Sequence, residues 1–167
     1  AIMSRTRSRP IPSGRVAPAQ ALAFAYCLGV ASFAILSIFV NLLTAVIALG
    51  GIAFYAIVYT LWLKRRTPQN IVIGGAAGAV GPLIGWAAIT GQISVASIIM
   101  FAIVFFWTPP HFWSLALYVK EDYAKAGIPM LPTVAGEHET RWQIVAYSIL
   151  LILTSTSLYV VGALGIF

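Results

Sequence analysis

The chain has 167 residues, of which 60% are apolar and 8% charged, and it carries a net charge of +6 at pH 7. Soluble domains average about 25% charged and about 45–50% apolar residues, so a water-soluble globule is excluded: lipid must be the solvent for much of this surface. The positive balance does not signal nucleic acid, because the basic residues flank apolar runs, where anionic headgroups or an anionic substrate are the matching partners.

In chain order, residues 1–15 form a polar, proline-bearing segment with Arg5, Arg7, Arg9 and Arg15, too polar for the apolar core of a cleavable signal. Apolar runs follow at 19–40 and 42–63, each near the ~20 residues that a helix needs to cross hydrocarbon, joined by an uncharged turn at Asn41. Cys27 is the single cysteine, so no intrachain disulfide forms. The second run ends on Lys64-Arg65-Arg66, and the loop 64–70 leads into a third run at 71–91. Gly74, Gly78, Gly81 and Gly85 recur there on one helical face, a pattern that lets a neighbouring helix approach closely. Pro82 removes a backbone donor and is expected to bend this helix.

After an uncharged turn at Gly91-Gln92, the fourth run, 93–117, contains Trp107-Thr108-Pro109-Pro110-His111-Phe112-Trp113. Consecutive prolines leave the carbonyls of Phe105 and Phe106 without their i+4 donors. The expectation is a break in the helix that faces protein or a polar cavity. His111 follows directly, and an ionisable residue within a span is a functional candidate. A neutral imidazole bonded to a freed carbonyl explains the same residue structurally, and the two readings carry equal weight. The loop 118–141 holds Lys120, Glu121, Asp122, Lys125, Glu137, Glu139 and Arg141. Its stretch 126–132 is weakly polar and bounded by prolines, and is expected to pack over the end of the bundle. A fifth apolar run occupies 142–163.

All ten Lys and Arg and all four Asp and Glu fall in 1–15, 64–66 and 120–141. Threading five spans through a bilayer puts these stretches on one side, with no charge opposite. The positive-inside rule then places the N-terminus in the cytoplasm or matrix. The expected fold class is all-α, a polytopic transmembrane bundle. It forms a single membrane domain with polar loops 1–15, 64–70 and 118–141 on the cytoplasmic side. A bacterial inner membrane is preferred to a mitochondrial one. Both ends read as cuts, so five spans of a larger bundle is the expectation.

Three features at the polar end converge on phosphate handling. The arginines of the first segment, Arg5 and Arg9 among them, offer guanidinium forks suited to phosphate oxygens. Lys64 and Arg65 add cations on the same side. Asp122, next to Glu121, is a hard oxygen ligand of the kind Mg²⁺ prefers. Topology and lipid anchoring alone account for the basic clusters; the carboxylate on the same side raises the functional reading.

Met3 to Gly14, M-x-R-T-x-x-R-P-x-P-x-G, resembles the segment after the first aspartate-rich loop of UbiA-type intramembrane prenyltransferases. Tyr59 to Gly75, Trp107 to Trp113 and Asp122 to Pro132 are similar, nearly position for position, to the branch of that family that farnesylates haem b. The resemblance runs through essentially the whole chain. It implies a nine-helix bundle with a lateral opening to lipid, of which this chain would be helices three to seven. It also implies transfer of a farnesyl group from farnesyl diphosphate to a vinyl group of haem b, with water added, to give haem O for terminal oxidases. On this resemblance Lys64 and Asp122 are the catalytic candidates. Arg5, Arg9, Lys64 and Arg65 are candidates for the diphosphate, Asp122 for Mg²⁺ and His111 for haem. The lipid bilayer is a partner; a homo-oligomer or an enzyme of the haem pathway are the protein partnerships considered.

Two departures stand out. The family's first aspartate-rich motif would lie just before Ala1 and is absent, so this piece is expected not to turn over alone. Where many relatives carry D-x-x-x-D, Tyr118 stands four residues before Asp122. Competing readings are another prenyltransferase of this type with an aromatic acceptor, a phospholipid alcohol transferase, and a non-enzymatic transporter or assembly segment. The second needs aspartates within a span, and no span holds an acid; the third predicts a polar midplane and internal repeats, and neither is present.

The charge asymmetry predicts the outcome of accessibility labelling. Single cysteines introduced as Arg7→Cys, Gln69→Cys and Glu137→Cys label from the cytoplasmic side, and Gln92→Cys labels only from the other. Labelling of Gln69→Cys and Gln92→Cys from the same side overturns the span assignment.

Overall fold

Hydrocarbon offers no partner for backbone N–H and C=O groups, so a chain this apolar must satisfy them within each segment, as helices do. The computed structural model describes residues 8–64 and 66–163. The elements are α1 (Pro18–Phe39), α2 (Leu42–Ala53) continued by a π-helical segment (Phe54–Leu63), α3 (Asn70–Ala79), α4 (Gly81–Thr90), α5 (Val95–Tyr118), α6 (Lys120–Lys125), α7 (Leu131–Val134) and α8 (Gly136–Val160). Among the described residues five helical stretches are long and apolar enough to cross a membrane: Pro18–Phe39, Leu42–Leu63, Asn70–Thr90, Val95–Tyr118 and Gly136–Val160. The chain is an all-α membrane bundle, with α5 in contact with α3, α4, α6, α7 and α8, and α1 packed on α2.

Local chemistry places the helix ends. Asn41 accepts from the Thr44 N–H at 2.8 Å, capping α2, while its Nδ2 donates to the Ala87 carbonyl at 2.8 Å. One side chain thus ties the α1–α2 turn to the end of α4. Gly91 then takes φ 71°, a left-handed turn that suits glycine. Ser94 and Ser97 cap α5 reciprocally. At the opposite end Gly136, at φ 85°, makes the turn into α8.

The third apolar run is two helices parted at Val80. Pro82, in the first turn of α4, has no N–H to return to the preceding turn. The double proline behaves differently from expectation: α5 is continuous through Pro109 and Pro110. Thr108, Pro109, Trp113 and Ala116 are buried on this helix, and packing on both sides holds the backbone where two ladder bonds are lost. The last helix starts at Gly136 rather than at 142, and α6 and α7 occupy much of the expected loop. Glu137 and Glu139 fall in its first turn, where the helix dipole favours acids.

The ten-residue π segment has no sequence signal. Its register shows in the Lys64 N–H bonded to the Tyr59 carbonyl at 2.8 Å and Thr60 Oγ1 bonded to the Tyr55 carbonyl at 2.8 Å. Such wide turns are rare and usually confined to single bulges. Here the segment brings the Tyr59 ring close against α3. A Cβ at Gly74 would lie 2.6 Å from Tyr59 Cε2, and one at Gly75 would lie 3.0 Å from Thr108 Cγ2. Gly78, Gly81 and Gly85 have no such neighbour within 4 Å among the described residues. The glycine stripe therefore supports a close contact at Gly74 and leaves open space beyond it.

The buried cluster sits at the polar end: Ile71, Trp113, Ala116, Met130 and Leu131, with Tyr123, Ile128 and Tyr147 packed against it. The stretch 126–132 is thus part of the core, as its apolar content requires.

The Gly74–Tyr59 contact yields a coupled prediction. Gly74→Ala lowers stability by about 1–3 kcal/mol through overpacking. In a Tyr59→Ala background most of that cost disappears, because the clashing ring is gone. Thermal unfolding in detergent measures the cycle; equal costs in both backgrounds would show that the close approach is not formed.

Candidate functional site

The bundle contains an apolar cavity between helices, and its charged side chains lie at the polar end. The cavity has a volume of about 590 Å³ and lies between α2 with its π segment, α3, α4 and α5. This is within the range of small-molecule sites. Gly74, Gly78 and Gly81 form one wall, where absent side chains leave room; Tyr55 and Tyr59 form another, and Val104, Trp107, Thr108 and Phe112 a third. The Thr108 hydroxyl donates to the Val104 carbonyl at 2.7 Å, so the wall contributed by α5 is almost wholly apolar.

Lys64 ends the π segment that lines this cavity, and its side chain is exposed, as is that of Arg66. Arg9 is exposed in the turn before α1, whose backbone is closed by the Ser13 N–H on the Arg9 carbonyl at 3.0 Å. Arg15 of the same turn bonds the Ser8 carbonyl and Ser13 Oγ. Arg5 and Arg65, the other two diphosphate candidates, lie outside the described residues.

The four acids separate into two pairs. Glu137 takes both Lys120 and Arg141, the latter at 3.0 Å. The hydrogen bond and charge of Glu137 hold the Lys120 ammonium above the ordinary lysine range. Glu139 accepts from Gln143 at 3.0 Å. Glu121 and half-buried Asp122, both on α6, make no side-chain hydrogen bond or ion pair among the described residues. Tyr123, next to Asp122, packs on the cluster that contains Ile71, the second residue of α3. The core therefore brings α6 to the end of the bundle where Lys64 lies. Among the described residues no three metal-ligating side chains gather. Asp122 and Glu121 fit a Mg²⁺ ion only as one or two carboxylates alongside phosphate oxygens and water, a set that Mg²⁺ accepts.

His111 is exposed on α5, stacked on Trp107 with ring centroids 4.3 Å apart and edge-on to Phe112 at 5.3 Å. Its ring makes no hydrogen bond among the described residues, so the bond to a freed carbonyl is not formed. Trp107 and Phe112 line the cavity, which puts His111 beside that wall.

Sequence reasoning passed over Asn70. It is 1% exposed at the start of α3, and its Nδ2 reaches the carbonyls of Thr67 at 2.8 Å, Pro129 at 3.3 Å and Lys64 at 3.4 Å. A polar side chain opening an apolar run, directly after a Thr-Pro turn, was the available signal.

The sequence pattern of the UbiA prenyltransferase family matches residues 1–167. The chain belongs to this family. It is 58% identical over 165 residues to a protoheme IX farnesyltransferase of Symbiobacterium thermophilum, covering 99% of this chain and 55% of that protein. A protoheme IX farnesyltransferase of Gloeobacter violaceus is 56% identical over 164 residues, 98% of this chain and 54% of that protein. One from Erythrobacter litoralis is 55% identical over 163 residues, 98% of this chain and 53% of that protein. The chain spans about half the length of the curated relatives it matches. No solved structure matches it.

Proposed function

We propose that the full-length protein transfers a farnesyl group from farnesyl diphosphate to a vinyl group of haem b, with water added, to give haem O. The observation that carries this reading is one continuous element. The π segment lines a large apolar cavity with Tyr55 and Tyr59 and ends on the cation Lys64, matching a substrate with an apolar tail and an anionic head. Identity of 55–58% to three proteins named for this reaction supports the same acceptor and donor.

The chemistry assigns each part a task. The allylic C–O bond of the donor breaks and its electron pair leaves with diphosphate. Lys64 and Arg9, with Arg5 and Arg65, bind and neutralise the departing charge. A Mg²⁺ ion, when bound with the diphosphate, would supply Lewis-acid stabilisation of that charge. Asp122, with Glu121 beside it, is the residue that would hold the ion. The apolar walls exclude water from the allylic cation until the vinyl carbon has formed the new C–C bond. Tyr55, Tyr59 and Trp107 offer electron-rich faces to passing positive charge. The cation left on the haem side is then captured by water, which loses a proton. The polar loops lie in the cytoplasm in this reading, where both substrates are met.

Assays of the full-length protein with haem b, farnesyl diphosphate and Mg²⁺ test it, with haem O as the product to be detected. Lys64→Ala raises KM for farnesyl diphosphate by roughly 10- to 100-fold, the scale of one charged hydrogen bond, with KM for haem unchanged. Asp122→Ala abolishes turnover or shifts the Mg²⁺ requirement upward. Wild-type kinetics in both variants would leave these residues with a topological role alone.

His111 is assigned to haem on the same reading, since neutral imidazole is a common axial ligand and the stacked Trp107 offers a flat neighbour for a porphyrin. The Soret band of haem b bound to full-length His111→Ala shifts from that of wild type. An unchanged band in a well-folded variant rules out ligation.

A further inference from the structure

The cation-bearing turn and the loop that follows Asp122 come from segments about sixty residues apart, and one buried carboxamide joins them. Two N–H bonds of Asn70 Nδ2 serve three carbonyls, so at least one proton is shared. The carbonyl of Thr67, at 2.8 Å, is local. The other two are Lys64 itself, at 3.4 Å, and Pro129, at 3.3 Å. The short contacts to carbonyls fix which end of the amide is nitrogen. Among the described residues its Oδ1 is buried without a partner, an arrangement that costs stability.

From Pro129 the connection to Asp122 is stiff. Met130 N–H bonds the Ile128 carbonyl at 2.8 Å, Ile128 N–H bonds the Tyr123 carbonyl at 3.1 Å, and Ala126 N–H bonds the Asp122 carbonyl at 3.1 Å. Met130 is anchored in the core beside Ile71, the residue after Asn70. On the other side, Lys64 N–H is bonded to Tyr59, whose ring rests on Gly74 and lines the cavity. Asn70 thus contacts both segments.

We propose that Asn70 is a positioning residue that sets the placement of the diphosphate-binding cation Lys64 relative to Asp122. The proposal rests on the prenyl-transfer reading above. Asn70 touches no reacting atom; it acts through the two residues that it holds in register. Because it serves both sides, its loss affects two quantities that a loss of Lys64 or Asp122 alone would separate.

The test is steady-state kinetics of the full-length protein in detergent with farnesyl diphosphate, haem b and Mg²⁺. Asn70→Leu keeps the approximate size and loses the donor; Asn70→Ser keeps one short donor for the Thr67 carbonyl and loses the reach to Lys64 and Pro129. In both, KM for farnesyl diphosphate and the Mg²⁺ concentration for half-maximal rate rise together, about tenfold, the scale of one lost hydrogen bond. KM for haem b stays at the wild-type value, and Asn70→Ser melts within a few degrees of wild type. A fall in kcat alone, with both KM for farnesyl diphosphate and Mg²⁺ dependence unchanged, overturns the proposal. So does failure of both variants to fold, which would assign Asn70 to the scaffold. Absence of haem farnesylation by wild type would instead overturn the reaction itself.

Discussion

The demand that every backbone polar group find a partner away from water governs where this chain can do anything but run as a helix. Irregular backbone gathers at the ends of the bundle, and at each end an asparagine closes it. Asn41 ties the α1–α2 turn to the Ala87 carbonyl, and Asn70 joins the carbonyls of three residues at the polar end. Both are amides, which offer donors without the cost of burying a charge. Between these ends the chain runs as helix apart from the break at Val80, and α5 stays helical through Pro109 and Pro110 although each proline removes one ladder bond.

That constraint also explains how the bundle accommodates a cavity. A void between helices in lipid cannot be opened by unpaired backbone, so it has to come from side chains. Gly78 and Gly81 provide none, and the π register turns Tyr59 onto Gly74 while leaving space above. A π helix keeps its backbone bonded while changing the phase of its side chains, so the wall is reshaped without exposing a polar group. The same segment ends at Lys64, so one element carries both an apolar cavity wall and a cation at its polar end.

The rim is electrically sorted. Glu137 is engaged by Lys120 and Arg141, which fastens α6 to α8 and leaves Glu121 and Asp122 as carboxylates without a partner among the described residues. An ion pair this exposed adds little stability. It links the first residue of α6 to the first turn of α8, while Tyr123 packs on the core around Ile71 and Trp113.

Much was legible in the order of residues. The apolar run lengths and the uncharged turns specify five helices able to cross a membrane, and the long motifs from Tyr59 to Gly75 and Asp122 to Pro132 point to the prenyltransferase family to which the chain belongs. These are local properties: hydropathy, charge and spacing act within one segment. The π register at Phe54–Leu63, the unbroken helix at Pro109-Pro110 and the reach of Asn70 to Pro129 are not local. Each depends on what the neighbouring helix presents: the bare face at Gly74, the packing of α3 and α8 on α5, a carbonyl some sixty residues away. The helices and the family were therefore decided by the sequence by itself. The cavity, and the bridge that Asn70 makes at the polar end, were decided only when the helices packed, because close packing in lipid selects the backbone register that fills or spares the space between them.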